Sequence, residues 1–120
     1  MADSVLMITW GPPVRGREER GLEVFNESMG LYGRLQQEGR IEGFDVAILD
    51  PNGLMGGYIA LRGSAQQLSA VRQDDEFRRT TTSASLIVEE LQLIDGRIGD
   101  GVAQEIEMYR EAVAQVPQTA

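Results

Sequence analysis

Apolar positions along this chain follow two rhythms, one of period two and one close to 3.6, and the order in which they alternate predicts most of the architecture. Ser4–Trp10 (SVLMITW) is apolar at both alternations, with Val5 and Met7 on one face and Leu6, Ile8 and Trp10 on the other. Ended by Gly11-Pro12-Pro13, it reads as a strand covered on both faces and therefore central in its sheet. Residues 17–38 then switch to the helical period. Val24, Leu31 and Leu35 fall on one side of an apolar arc and Leu22, Phe25, Met29 and Tyr32 on the other. Gly21, Ser28 and Gly39 lie between them; small residues there let a helix approach a sheet closely, and Gly39 supplies the C-terminal stop.

The sharpest local deduction concerns residues 44–50 and 54–62, two strand-like runs joined by Asp50-Pro51-Asn52-Gly53. Asn-Gly favours a two-residue type I′ hairpin, because both central residues need positive φ. With Asn52 and Gly53 as the loop, Pro51 faces Leu54. Leu49 then pairs with Gly56, Ala47 with Tyr58, Asp45 with Ala60, and Gly43 with Arg62. One face of this ribbon collects Phe44, Val46, Ile48, Met55, Gly57, Ile59 and Leu61, a core face. The other collects Asp45, Ala47, Leu49, Tyr58, Ala60 and Arg62. A one-residue slip would exchange the two faces.

Gly63-Ser64 opens a second helix, with Ser64 as N-cap, Gln67 at the capping-box position, and Leu68 and Val71 on the apolar stripe. Asp74-Asp75-Glu76 starts a further helical stretch that carries Phe77, Ala84, Leu86 and Ile87, with its acids at the positive end of the helix dipole. Residues 89–98 read as the last strand, Leu91 and Leu93 on one face and Gln92 and Ile94 on the other. After Gly99-Asp100-Gly101, the positions Val102, Ile106, Tyr109, Val113 and Val116 make the single seam of a helix over 102–116. Residues 1–116 are thus expected to form one domain, with 117–120 a flexible tail.

The order β-α-β-β-α-β plus a C-terminal helix is the ferredoxin-like arrangement, an α+β fold with an antiparallel sheet. The layout "ITWGPP", "GRIEGFDVAILDPNG", "YIALRGSAQQL" and "DEFRR…ASLIVEELQLIDG" resembles the dimeric α+β barrel superfamily over residues 4–98. Its members include small cofactor-independent monooxygenases, YCII-like proteins and stress-responsive barrel proteins. The resemblance implies a homodimer in which two subunits put their open sheet faces together around a cavity. It does not carry over known catalytic patterns. The haem-degrading type uses a histidine as haem ligand and YCII-like proteins share a histidine–aspartate pair, whereas this chain has no histidine. The Asn–Trp pair of the quinone-forming monooxygenases is not carried over, since Asn26 and Trp10 lie on different elements and nothing in the sequence matches them to it.

Composition narrows the chemistry further. The chain contains no histidine, cysteine or lysine, which removes the imidazole base, the thiolate nucleophile, the Schiff-base amine and the usual nitrogen and sulfur metal ligands. Eleven arginines without lysine reflect the codon bias of a GC-rich genome. Nineteen acids give a net charge of −8, which argues against a nucleic-acid partner, and the Arg15, Arg17, Arg20 cluster is followed at once by acids. The apolar run within Met1 to Trp10 lacks a basic flank and is too short for a signal sequence or a membrane span, so a cytoplasmic location is expected. The acidic polar face of the last helix argues against a membrane role.

Candidate site residues follow from the barrel reading, with a small organic molecule as the ligand. On the sheet face away from the helices, Arg62 could hold an anionic or enolate oxygen, and Tyr58 could donate a hydrogen bond. A partly buried Asp45 could act as a base of raised pKa. The alternative is an Asp45–Arg62 pair that satisfies charge at the edge of an interface. Trp10 could stack on a planar ligand at a pocket mouth, or serve as a plain core or interface aromatic. No cofactor is implied. The runs Asp74-Asp75-Glu76 and Glu89-Glu90 lack the spacing of a cation loop, and Gly53 to Gly57 has no lysine and precedes a strand, so neither a metal nor a phosphate site is expected. A cofactor-independent oxygenase or isomerase, and a non-catalytic dimerisation or regulatory module with a filled barrel, are the two functional readings the sequence supports.

Overall fold

The structure is a computed structural model that describes residues 2–117 and 119. Its elements run β1 (Ser4–Trp10), α1 (Glu18–Gln37), β2 (Gly43–Ile48), β3 (Gly57–Gly63), α2 (Ala65–Gln73), α3 (Asp75–Ser85), β4 (Gln92–Arg97) and α4 (Asp100–Ala114). The four strands form one antiparallel sheet in the order β2-β3-β1-β4. This is the ferredoxin-like α+β topology, with β1 central as its two apolar alternations require. The core lies between the sheet and the helices, where Leu6, Ile8, Ile59 and Leu61 meet Leu31, Tyr32 and Leu35 of α1, Leu68 and Val71 of α2, and Phe77 of α3.

Helix ends follow their local chemistry. α1 stops in a Schellman arrangement: Gly39 takes φ +72°, its N–H donates to Gln36 O at 3.0 Å, and the Arg40 N–H donates to Leu35 O at 2.9 Å. The α2 capping box is complete, the Gln67 N–H donating to Ser64 Oγ at 3.1 Å and the Ser64 N–H to Gln67 Oε1 at 2.8 Å. Asp74 caps α3 by accepting the Phe77 N–H at 3.0 Å.

The hairpin keeps the expected register but not the expected turn. Gly43 pairs with Arg62, Asp45 with Ala60 and Ala47 with Tyr58, and Leu49 N–H donates to Gly56 O at 2.9 Å. Neither Asn52 nor Gly53 has positive φ, so the loop is not type I′. Instead the Asn52 side chain closes a wider loop. Its amide donates to Asp50 O and Met55 O, both at 2.8 Å, and its Oδ1 accepts the Leu54 and Met55 N–H groups at 2.7 and 2.9 Å. Pro51 explains the change. In a two-residue loop Pro51 could accept the Leu54 N–H through its carbonyl but has no N–H to donate back. The pair flanking a tight turn would then keep only one of its two bonds.

Three other expectations are corrected. On β2, an edge strand, Val46 and Ile48 are 39% and 66% exposed, because the helices cover Ile59 and Leu61 of β3 and do not extend over its end. β4 begins only at Gln92, since Glu90 takes φ +54° and residues 87–89 turn aside to pair with residues 11–14. That second ladder comprises Gly11 N–H to Glu89 O (2.8 Å), Glu89 N–H to Pro12 O (2.9 Å) and Val14 N–H to Ile87 O (2.8 Å). α4 begins and ends two residues earlier than expected, and Val102, Ile106 and Tyr109 of its apolar seam are exposed. Gln118 and Ala120 of the expected tail lie outside the described residues.

Candidate functional site

Where β1 ends, the segments 11–14 and 87–89 lift away from the sheet and leave a cavity of about 580 Å³ between it, α1 and α3. Small-molecule sites commonly occupy roughly 300–1,000 Å³. Its walls are Ile8, Trp10 and Ile59 of the sheet, Gly21, Val24, Phe25, Ser28 and Tyr32 of α1, Thr80 and Ala84 of α3, and Pro12, Pro13, Ile87 and Val88 of the lifted segments. Leu22 and Ile48 rim the mouth, which explains why Leu22, expected in the core, is 69% exposed.

Trp10 is held from two sides. Its indole lies over Gly56 and Gly57, so closely that a Cβ on Gly57 would stand 2.8 Å from Trp10 Cζ2 and 2.5 Å from Ala47 O. On the other side Phe25 meets it edge to face, the ring centroids 6.3 Å apart. The Gly56 N–H donates to Trp10 O at 2.7 Å and fixes the backbone beneath the ring. Gly21 opens the opposite wall: a Cβ there would meet only Ile87 Cδ1, at 3.7 Å. The small residues read as permitting close helix–sheet contact therefore also leave volume.

Few polar groups face this space. Ser28 donates its hydroxyl to Val24 O at 2.8 Å, so its oxygen remains an acceptor. Glu18, exposed and on the first turn of α1, accepts the Gly16 N–H at 2.8 Å. Tyr32 is buried, its ring tilted against Phe44 and Phe77 at 5.9 and 6.5 Å. Burial disfavours the phenolate and pushes its pKa well above the ordinary tyrosine range, so the hydroxyl stays protonated. Among the described residues that hydroxyl has no hydrogen-bond partner, and it is not sealed from solvent. Tyr32 is among the residues that line the cavity. Among the described residues no group of acids is arranged to hold a metal ion, and no helix is long and apolar enough to cross a membrane.

Of the residues singled out from the sequence, Trp10 lines this cavity and the other three lie on the opposite sheet face. Asp45 and Arg62 come together there, Arg62 Nε donating to Asp45 Oδ2 at 2.9 Å across β2 and β3. Asp45 is 62% exposed at its side chain, so in the protomer it is not the partly buried carboxylate that was expected. Tyr58 sits between Ala47 and Thr9, away from that pair. Phe25, Ser28, Tyr32, Thr80 and Glu18 were not singled out as site residues. The available signal was the i, i+7 recurrence of small residues, Gly21 and Ser28, on the inner face of α1.

No family model and no curated protein matches the chain. Solved structures do, at the level of fold. A dimeric ferredoxin-like protein of unknown function from Jannaschia sp. CCS1 superposes with a TM-score of 0.61 at 12% identity, covering 79% of this chain and 98% of its own. A dimeric protein of the same fold and unknown function from Bacteroides fragilis gives 0.60 at 13%, covering 79% and 96%. A cofactor-independent oxygenase from Streptomyces nogalater gives 0.51 at 14%, covering 82% and 93%. The chain is similar to all three in its ferredoxin-like fold.

Proposed function

We propose that this chain is the protomer of a homodimeric α+β barrel that binds a small, mostly apolar organic molecule in the cavity between α1, α3 and the sheet. The most concrete activity compatible with the site is cofactor-independent oxygenation or isomerisation, in which the substrate supplies the electrons. The observation that carries the reading is the cavity itself, a largely apolar hollow with Trp10, Phe25 and Tyr32 among the residues that line it. The shared fold with an oxygenase from Streptomyces nogalater supports it at the level of scaffold only.

Asp45, Tyr58 and Arg62 belong, on this reading, to the face where two protomers meet. There the Asp45–Arg62 pair satisfies charge at the interface edge. A non-catalytic module with a filled barrel is the rival. The space beside Trp10 lies on the helix side of the sheet, so it supports a binding site there and does not bear on how the barrel interior is filled.

Trp10 is the sole tryptophan and lines the cavity, so its emission reports on occupancy. 1,4-Naphthoquinone is a suitable neutral probe, since the chain has no cysteine or lysine for it to alkylate. Saturable quenching is expected in the natural protein. Gly21→Phe, which fills the cavity from a position with room for a side chain, is expected to abolish it. Quenching that rises linearly without saturation, or that survives Gly21→Phe unchanged, would remove the cavity as a binding site.

A further inference from the structure

The charge lining the cavity is one-sided. Its lining contains a single ionised side chain, the Glu18 carboxylate, and none of the eleven arginines. Of the two guanidiniums nearest Glu18 in sequence, Arg20 is paired with acids, Glu23 and Glu27 at 3.1 and 3.2 Å. Arg17 keeps its charge, bound to the neutral Leu86 carbonyl next to the wall residue Ile87 but outside the lining. The positive end of the α1 dipole could attract an anion, but Glu18 and Glu19 already occupy that first turn. Two backbone donors of the wall are taken, Gly11 N–H by Glu89 O and Gly56 N–H by Trp10 O. What remains among the lining side chains is neutral: the Ser28 oxygen as an acceptor and the hydroxyl-bearing residues Tyr32 and Thr80.

From this arrangement we infer that the cavity selects against anions: it takes a neutral or positively charged apolar molecule, and Glu18 at the mouth sets that preference. The inference rests on the reading of the cavity as a small-molecule site. An anion seated there would give up part of its water to apolar walls that themselves hold no counter-charge, beside a carboxylate of its own sign. A neutral ligand meets neither penalty. A cation can leave its charge at the mouth against Glu18 while its apolar body packs on Trp10 and Phe25. Tyr32, with its ionisation suppressed, adds no second negative charge in the neutral pH range.

Three near-isosteric probes test this by calorimetric titration: 1-naphthalenemethanol, 1-naphthylmethylammonium and 1-naphthylacetate. The alcohol and the ammonium are expected to bind, and the acetate about tenfold more weakly than the alcohol or worse. Glu18→Gln is expected to narrow the gap between acetate and alcohol. Glu111→Gln, the same change in net charge on exposed α4, is expected to leave it intact. Acetate binding within about twofold of the alcohol in the natural protein would overturn the selectivity while leaving the cavity as a site. A gap that narrows equally in both variants would transfer the effect from Glu18 to the charge of the whole molecule. Failure of the alcohol itself to bind would instead remove the cavity reading on which the inference stands.

Discussion

Trp10 shows how far one side chain depends on the absence of another. Its indole can lie flat against β3 only because residues 56 and 57 have no Cβ, and at Gly57 the obstacle to adding one is partly backbone, Ala47 O at 2.5 Å. A flexible neighbour could yield, but a ladder carbonyl cannot without disturbing the β2–β3 pairing. Gly57→Ala is therefore expected to destabilise the protein by about 1–3 kcal/mol, in the range of overpacked cores. It should also shift the Trp10 emission maximum, both read in one urea titration followed by fluorescence. Unchanged stability with unchanged emission would mean that the ring is not seated on Gly57. The alternation of β1 grouped Trp10 with Leu6 and Ile8 without saying which face the helices cover, so Trp10 was read with a pocket on the other face. The adjacency of Asp45 and Arg62 was legible, from the hairpin register. Tyr32 was not, because periodicity marks it as a packing residue and says nothing of whether its hydroxyl meets a carbonyl or an open cavity.

At the level of elements, what survived from the sequence was parity, and what failed was turn chemistry. Widening the hairpin loop equally on both strands leaves every cross-strand pair unchanged, so the β2–β3 faces were right although Asn52 closes the loop with its side chain. Pro51 was the warning, since its missing N–H weighs against a tight turn. The start of α3 was read correctly as an acidic first turn, but its tie to a distant element was invisible. Asp74 accepts from Arg40, which follows α1, at 2.7 Å as well as from the Phe77 N–H. The Arg40 guanidinium, and then the backbone N–H, hold the Asp74 carboxyl below its ordinary pKa. A carboxyl that titrates lower in the folded than in the unfolded chain contributes stability in full above the unfolded value of about 4. The contribution is lost as pH falls through the folded value. Asp74→Asn keeps a competent N-cap and removes the charge. It is expected to cost up to about 1 kcal/mol at neutral pH, as the exposure of Arg40 limits the pair. That difference should vanish as pH falls below the lowered folded value, measured by urea unfolding across pH. A cost independent of pH would assign the effect to the cap and not to the ion pair.

The whole molecule spans 53 × 37 × 23 Å, and its helices leave the second face of a four-stranded sheet uncovered. Met7, Tyr58, Ala60 and Ile94 lie on that face, Ile94 at 45% exposure. α4 touches little beyond β4, and its start is wedged against the N-terminal strand: a Cβ on Gly101 would fall 2.2 Å from Asp3 O. The helix is thus fixed at its base while Val102, Ile106 and Tyr109 face outward at 46%, 52% and 62% exposure. An apolar seam beside an uncovered sheet is the physical motive for the proposed homodimer. Ile106→Glu places a charge in the middle of the seam without touching the core of the protomer. Sedimentation velocity is expected to give a dimer for the natural protein and a monomer for the variant. The melting temperature should rise with protein concentration only in the natural protein, since association stabilises the folded state by mass action. The cavity beside Trp10 lies on the far side of the sheet from this face, so the monomeric variant should still be quenched saturably by 1,4-naphthoquinone. Loss of quenching together with the dimer would mean that a partner protomer completes the site. A natural protein that sediments as a monomer would remove the barrel and leave the cavity to stand alone.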